Sequence, residues 1–232
     1  MAQRVIFHVD ANSAFLSWSA AYRVKVLGEQ VDLREIPSVV AGDKASRQGI
    51  VLAKSTPAKK YGIQTGEPLF QALEKCPQLA VVAPDYELYV EASRHFVAVL
   101  RQFSPLVEQY SIDEAWVDMT GTQRIYGDPR LAAEKMRERI WNELGFTVNV
   151  GISTNKILAK MAGDFEKPNK VHTLYPEEIE AKFWPLPVRD LFLVGAATER
   201  KLNQLGIYTI GDLANADVNM LRKRLGKPGE TI

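Results

Sequence analysis

Apolar and polar positions follow two rhythms along the chain. Short apolar runs read as strands: Val5-Ile6-Phe7-His8-Val9, Ser38-Val39-Val40-Ala41, Gly49-Ile50-Val51-Leu52-Ala53, Leu79-Ala80-Val81-Val82-Ala83, and Phe146 to Ile152. The stretch from Val107 to Val117 reads as one more strand. Tyr86 to Phe103 repeats apolar residues at helical spacing and is stopped by Pro105. Leu131 to Leu144 does the same, with Ala132, Met136, Ile140 and Leu144 on one face and Gly145 as its stop. Another helix is predicted up to Ala162, capped near Ser153 to Asn155. The order strand, long helix, strand, helix, strand implies an α+β fold: a palm-like layer whose central, mostly antiparallel sheet carries helices on one face.

Smaller elements fill the rest. Asp10 to Phe15 leads into a helix with Asn12 or Ser13 as its N-cap. The two short strands around residues 38–53 are joined by a charged hairpin-like loop, Gly42 to Gln48. Thr56 to Gly62 has the signals of a short helix, with Thr56 as cap, Pro57 at the first position and Gly62 as stop. A helix from Pro68 to Lys75 and the strand Leu79 to Ala83 complete what reads as a small α/β insertion. Gly121 to Pro129 reads as a loop. Beyond Tyr175, a helix from Pro176 to Phe183 and the linker Trp184-Pro185-Leu186-Pro187 lead into a small helical unit. The expected division is 1–13 and 79–175 for the palm, 14–78 for the insertion and 176–232 for the helical unit.

Composition changes this picture little. With 232 residues, 46% hydrophobic and 25% charged, the chain should build an ordinary globular core. A net charge of +1 provides no strong overall field, so any nucleic-acid contact must come from local patches. The lone Cys76 excludes a disulfide framework and a thiolate zinc site. No signal-peptide pattern and no long uncharged apolar run is present, so a cytoplasmic protein without a membrane span is expected.

The candidate chemistry is acidic. Asp113 and Glu114 interrupt the apolar stretch Tyr110 to Ala115, and burying even one unpaired carboxylate costs several kcal/mol. Neighbours on a strand face opposite sides, so the pair serves one site only at a bend or turn. A solvated hairpin edge is the alternative. Asp10 ends another strand, and if the two strands are neighbours, three carboxylates converge as an oxygen cage for Mg2+ ions that also hold a triphosphate. The helix start after Asp10 offers free backbone N–H groups to phosphate oxygens. Lys54, Lys59 and Lys60 give the insertion a basic side, either solvated or gripping phosphate. Lys156 and Lys160 share a helix face, and Lys167 follows that helix, either reaching a phosphate or pairing with Glu166 at the surface.

Several segments together resemble the Y family of lesion-bypass DNA polymerases, nearest the bacterial polymerase IV and UmuC-like branch. They are Val9-Asp10-Ala11-Asn12-Ser13-Ala14-Phe15, Lys60-Tyr61-Gly62-Ile63, Tyr86-Glu87-Leu88-Tyr89, Tyr110 to Ala115, Gly151 to Lys156, and Phe165-Glu166-Lys167-Pro168-Asn169. The resemblance implies a palm, fingers and thumb core that adds a deoxynucleotide to a primer 3′-hydroxyl, with a role in DNA repair and damage tolerance. It implies two Mg2+ ions, with Mn2+ as a substitute, held by Asp10, Asp113, Glu114 and the Ala11 carbonyl. Phe15 would be the steric gate against a ribose 2′-hydroxyl. Asn12, Ser13, Ala14, Thr56, Lys59 and Lys167 would contact the nucleotide. Lys156, Lys160 and the backbone at Val194 and Gly195, in a helix-hairpin-helix-like thumb, would contact DNA. Primer-template DNA and a deoxynucleotide are the implied partners, with a sliding clamp reached through a further C-terminal domain. A monomer associated with the nucleoid is implied.

The chain departs from the family pattern in the fingers, where Ala53, Thr56 and Lys59 stand for the usual Thr, Tyr and Arg; lysine cannot reproduce a bidentate guanidinium. The first hairpin glycine of the thumb is Leu193 here. The chain stops after the basic Arg222-Lys223-Arg224, which reads as a catalytic core cut from a longer protein. Two rival readings are a non-catalytic DNA-binding scaffold that keeps the fold and a two-metal nucleotidyl cyclase. The presence of all three carboxylates argues against the first, and Phe15 with the helical tail against the second.

Overall fold

In the computed structural model, which describes residues 3–42 and 49–232, the chain begins with β1 (Ile6–Ala11), α1 (Ala14–Lys25), β2 (Ser38–Ala41), β3 (Val51–Lys54), α2 (Thr56–Lys59), α3 (Leu69–Lys75) and β4 (Ala80–Val82). It continues with α4 (Tyr86–Arg101), β5 (Val107–Gln109), β6 (Glu114–Asp118), α5 (Gln123–Tyr126), α6 (Pro129–Leu144), β7 (Val148–Ser153), α7 (Lys156–Gly163) and β8 (Val171–Thr173). The last part holds α8 (Ala196–Asn203), α9 (Ile210–Ala214), α10 (Val218–Leu225) and α11 (Pro228–Thr231). Most of the charged loop expected at Gly42 to Gln48 lies outside the described residues. No helix of the described residues is long and apolar enough to cross a membrane.

β1 is the centre of a five-stranded sheet ordered β5-β6-β1-β7-β8, antiparallel except for the β7–β8 pair. Strand alternation sends Phe7, Val9 and Ala11 to one face with Ala115, Val117, Val148, Val150 and Ile152. There they pack against Phe96, Val97 and Leu100 of α4 and Ala132, Met136 and Ile140 of α6. α6 starts at Asp128, whose side chain accepts from the N–H groups of Arg130 and Leu131, and ends at Gly145 with φ of 80°. In addition to the helices expected on that face, α7 crosses the opposite one, where Ala159 packs on Ile6 and Trp116. Gly151 makes this approach possible: a Cβ there would overlap the Ala159 carbonyl oxygen and the Gly163 nitrogen.

Local differences from the sequence reading have local causes. Val107 to Val117 is a hairpin, β5 turning into β6, rather than one strand. The 121–129 segment holds α5 rather than being all loop. Ser55, not Thr56, caps α2, because its hydroxyl accepts from the Ala58 N–H at 3.1 Å. Ser13 occupies the cap position of α1 but in the left-handed region, with φ of 49° and no side-chain cap bond. Pro176 to Phe183 is a 3-10 turn followed by a π-helical turn, with Glu178 accepting from the Tyr175 N–H at 2.7 Å.

Three apolar clusters accompany the three expected units. The palm core takes in Leu16, Trp18 and Ala20, so α1 is shared between the palm and the insertion whose strands it touches. The insertion forms the sheet β3-β2-β4 over Val39, Val51, Ala58, Ile63, Leu69 and Ala72. β4, the strand read from residues 79–83 as completing the insertion, pairs with β2 in this sheet. The C-terminal helices bury Val188, Val194, Leu202, Ile207, Leu213 and Leu221.

Leu193 adopts φ of 74°, a backbone state that costs an L-residue about 1–2 kcal/mol, and its side chain is exposed, so little packing offsets the strain. Leu193→Gly removes that strain at a loss of about 0.4–1 kcal/mol in chain entropy. The expected net gain is about 0.5–1 kcal/mol, read as a higher urea midpoint at unchanged m-value.

Candidate active site

The register of β1 against β6 sets Asp10 directly opposite Glu114, and the next backbone bond runs from the Ala11 N–H to the Asp113 carbonyl at 3.0 Å. Asp113 lies in the bend between β5 and β6, where strand alternation is suspended, and its Oδ1 accepts from the Ser111 hydroxyl at 2.7 Å. Asp10 and Asp113 line one cavity of about 350 Å³ together with Ala11, Ser13, Ala14, Phe15, Ala53 and Lys59. A second cavity of about 310 Å³ shares Asp10, Ala11, Ser13 and Lys59 with the first and adds Thr56, Lys167 and Arg34.

Glu114 turns away from this space. Its Oε2 meets His8 Nε2 at 2.8 Å and also accepts from the Lys160 ammonium. Among the described residues, no three His, Cys, Asp or Glu side chains gather closely enough to hold a metal ion, so the three-carboxylate cage expected from sequence is not closed. The cause is local charge balance: Lys160 and His8 draw Glu114 to one side, and Lys167 bonds to Asp10 Oδ2 while lying 2.8 Å from Asp164 Oδ1. The hard oxygens of Asp10 and Asp113 beside Ala11 nonetheless suit a hard divalent cation. His8 and Lys160 both engage Glu114 through Oε2, which leaves Oε1 for such a set.

The charges respond to their surroundings. Burial raises the Asp10 pKa above its ordinary value, a shift that Lys167 opposes and the nearby Asp113 charge reinforces. Burial would also raise Glu114, but hydrogen bonds from His8 and Lys160 outweigh it and bring its pKa down to about 2. For Lys167, burial pulls downward and is overcome by Asp10 and Asp164, leaving its pKa above that of an ordinary lysine.

The other expected residues fall into three groups. Ser13, Ala14, Phe15, Thr56, Lys59 and Lys167 line one or both cavities. The Phe15 ring stacks on Tyr89 at 4.4 Å and 7°, with Tyr86 edge-on at 6.2 Å, so its orientation is held by aromatic packing. Asn12 is buried and occupied elsewhere: its Nδ2 donates to Asn149 Oδ1 at 3.1 Å and its Oδ1 accepts from the Asn169 N–H at 2.9 Å. Its own N–H goes to the Thr147 carbonyl, so Asn12 braces the wall of the second cavity, which it also lines.

The residues expected at DNA are also redistributed. Lys160 has a side chain only 13% exposed and belongs to the carboxylate cluster, whereas Lys156 is open to solvent and pairs with Glu108. The Val194 N–H is used by the Leu191 carbonyl, which leaves the exposed Gly195, at the start of α8, as the available amide.

Sequence reasoning missed His8 and Asn149. Both are polar residues inside strands of otherwise apolar character, on the face of Asp10: Asn149 is its register partner on β7, and His8 precedes it by two positions. Asn149 donates to the carbonyls of Gly163 and Glu166 at 2.9 and 2.6 Å, which fixes the loop carrying Lys167.

A five-stranded sheet carrying paired carboxylates, a small α/β insertion and a C-terminal helical unit give the chain a hand-like architecture of palm, fingers and thumb. Residues 9–164 match the impB/mucB/samB family and residues 176–207 its helix-hairpin-helix motif, and the chain belongs to that family. It is 53% identical over 229 residues to a DNA polymerase IV of Clostridium acetobutylicum, covering 99% of this chain and 57% of that protein. DNA polymerase IV 2 of Bacillus subtilis is 39% identical over 235 residues, covering 100% of this chain and 55% of that protein. The chain thus spans a little over half the length of these relatives. The crystal structure of DinB from Sulfolobus solfataricus superposes with a TM-score of 0.82 at 27% identity, over 98% of this chain and 64% of that one. An insertion ternary complex of Dbh DNA polymerase gives 0.84 at 27%, over 98% and 65%.

Glu114 has a pKa of about 2 against an ordinary 4.5, so the stability it contributes is complete above about pH 4.5 and is lost as pH falls towards 2. In chelator, Glu114→Gln should flatten the fall of the unfolding midpoint across that window relative to the parent chain. Parallel acid profiles for the two proteins would show that Glu114 is not the carboxylate held low.

Proposed function

We propose that this chain carries the active centre of a template-directed DNA polymerase of the translesion type, which adds a deoxynucleotide to a primer 3′-hydroxyl during DNA repair and damage tolerance. The reading is carried by one observation: Asp10 and Asp113 line a single cavity with the Phe15 ring and Lys59. Two Mg2+ ions, for which Mn2+ can substitute, would be held by Asp10, Asp113, Glu114 and the Ala11 carbonyl, and would neutralise phosphate charge and activate the primer hydroxyl.

The chain's own groups do the rest by positioning. Lys59 and Lys167 bind the triphosphate as point charges, and the first-turn N–H groups of α1, from Ala14 onward, donate to its oxygens. Phe15, braced by Tyr89, excludes a 2′-hydroxyl from the sugar site. Thr56, which lines the second cavity with Lys59 and Lys167, contacts the triphosphate. Lys156 and the Gly195 amide contact the DNA backbone, which gives grip without sequence preference. Primer-template DNA and a deoxynucleotide are the partners, the enzyme acts as a monomer at the nucleoid, and a sliding clamp is reached through the longer protein.

The test is single-nucleotide primer extension at low salt, because phosphate contacts weaken steeply as salt rises. Extension should require divalent metal, and Asp113→Asn should reduce it by about a hundredfold or more at an unchanged unfolding midpoint. Metal-dependent extension that survives this substitution would place the site elsewhere. Phe15→Ala should relax discrimination against ribonucleotides by roughly 10- to 100-fold, measured as the ratio of kcat/KM for paired deoxy- and ribonucleotides.

A further inference from the structure

Lys160 lies where the sheet, the carboxylate turn and the thumb meet. Its ammonium bonds to Glu114 Oε2 and sits 5.4 Å from the centre of the Tyr110 ring and 5.3 Å from that of Phe192. Tyr110 belongs to the bend that carries Asp113 and Glu114. Phe192 belongs to the loop leading into α8, within the matched helix-hairpin-helix motif, and meets Tyr110 edge-on at 6.2 Å and 72°. The same loop is tied to α7 through its backbone, because the Phe192 N–H points at the sulfur of Met161 at 3.3 Å.

This setting differs from that of a DNA-contacting lysine. Lys156, one turn earlier on α7, has a side chain 46% exposed and pairs with Glu108 at the surface. Lys160 is enclosed and has its charge committed: the two rings offer it their negative faces and Glu114 an oxygen. Removing Phe192 would open one wall of that enclosure to water and free the ammonium to leave the carboxylate.

We propose that Lys160 is a positioning residue for Glu114, its ammonium held by Tyr110 and Phe192 so that seating the helix-hairpin-helix unit against the palm fixes the carboxylate. The thumb thereby acts on the chemistry through a side chain that touches neither DNA nor nucleotide. The kinetic consequence rests on the polymerase reading above; the coupling between Phe192 and Lys160 does not.

Four proteins test it: Lys160→Met, which keeps length without charge, Lys160→Arg, Phe192→Leu, and the Met and Leu changes combined. Lys160→Met should lower kcat by about 10- to 100-fold, the size usual for groups that orient a ligating side chain, while primer-template Kd stays within about twofold. Lys160→Arg should recover part of the loss. Phe192→Leu should lower kcat less, and the combined variant should be no slower than Lys160→Met alone. Weakened DNA binding at unchanged kcat would make Lys160 a DNA contact, and independent losses in kcat would detach it from Phe192. Unfolding midpoints of the DNA-free chain read the same pair without catalysis: the shifts of the two single variants should exceed that of the combined one. Additive midpoints overturn the proposal even if the parent chain fails to extend primers, a failure that would count against the polymerase reading instead.

Discussion

Across the β1–β6 pair, Asp10 is registered opposite Glu114, with Asp113 in the adjoining bend, and each carboxylate withdrawn from water needs a partner for its charge. The surrounding residues supply compensation from separate elements. Lys167 comes from the loop after α7 to Asp10, Lys160 from α7 itself to Glu114, and His8 from β1. Asp10 remains the less well compensated of the two paired carboxylates, which is why burial raises its pKa while that of Glu114 is depressed. A carboxylate so poised, beside Asp113 and facing an open cavity, gains most from a multivalent cation.

The sheet divides its work between its faces. One face is closed by α4 and α6 into the main apolar core and gives the strands their rigidity. The other holds the charged side chains and is approached by α7, at a distance set by the bare Gly151. The network of Asn12, Asn149, Asn169 and Lys170 then binds the loop after α7 to β1 and β7, so that Lys167 has a fixed base from which to reach Asp10. Buried amides of this kind satisfy backbone groups that a loop crossing a sheet end would otherwise leave unpaired.

The insertion and the thumb each meet this centre through few residues. From the insertion, Lys59 reaches both cavities, while Phe15 is held from the palm side by Tyr86 and Tyr89. From the thumb, Phe192 reaches Lys160, and Gly195 offers an amide at the outer surface. Leu193 stands between them in a left-handed conformation that glycine adopts without strain, so this hairpin keeps its shape through its neighbours' packing.

Much of the architecture was legible in the sequence because it depends on periodicity and on local caps. The alternation in β1 and β7, the helical repeat of α6 with Gly145 behind it, and the acidic doublet all act over a few residues and leave a direct trace. The family motifs carried Asp10, Asp113, Phe15 and Lys167 to the cavities where the structure has them. What the tertiary structure alone decided depends on partners distant along the chain. Asn12 is held in place by Asn149 and Asn169, and Lys160 joined Glu114 because α7 crosses the sheet over Gly151. The Val194 amide was taken by Leu191 through the turn of the hairpin. A side chain's type limits which bonds it can make; which of them it makes is settled by whatever the fold brings within about 3 Å of it.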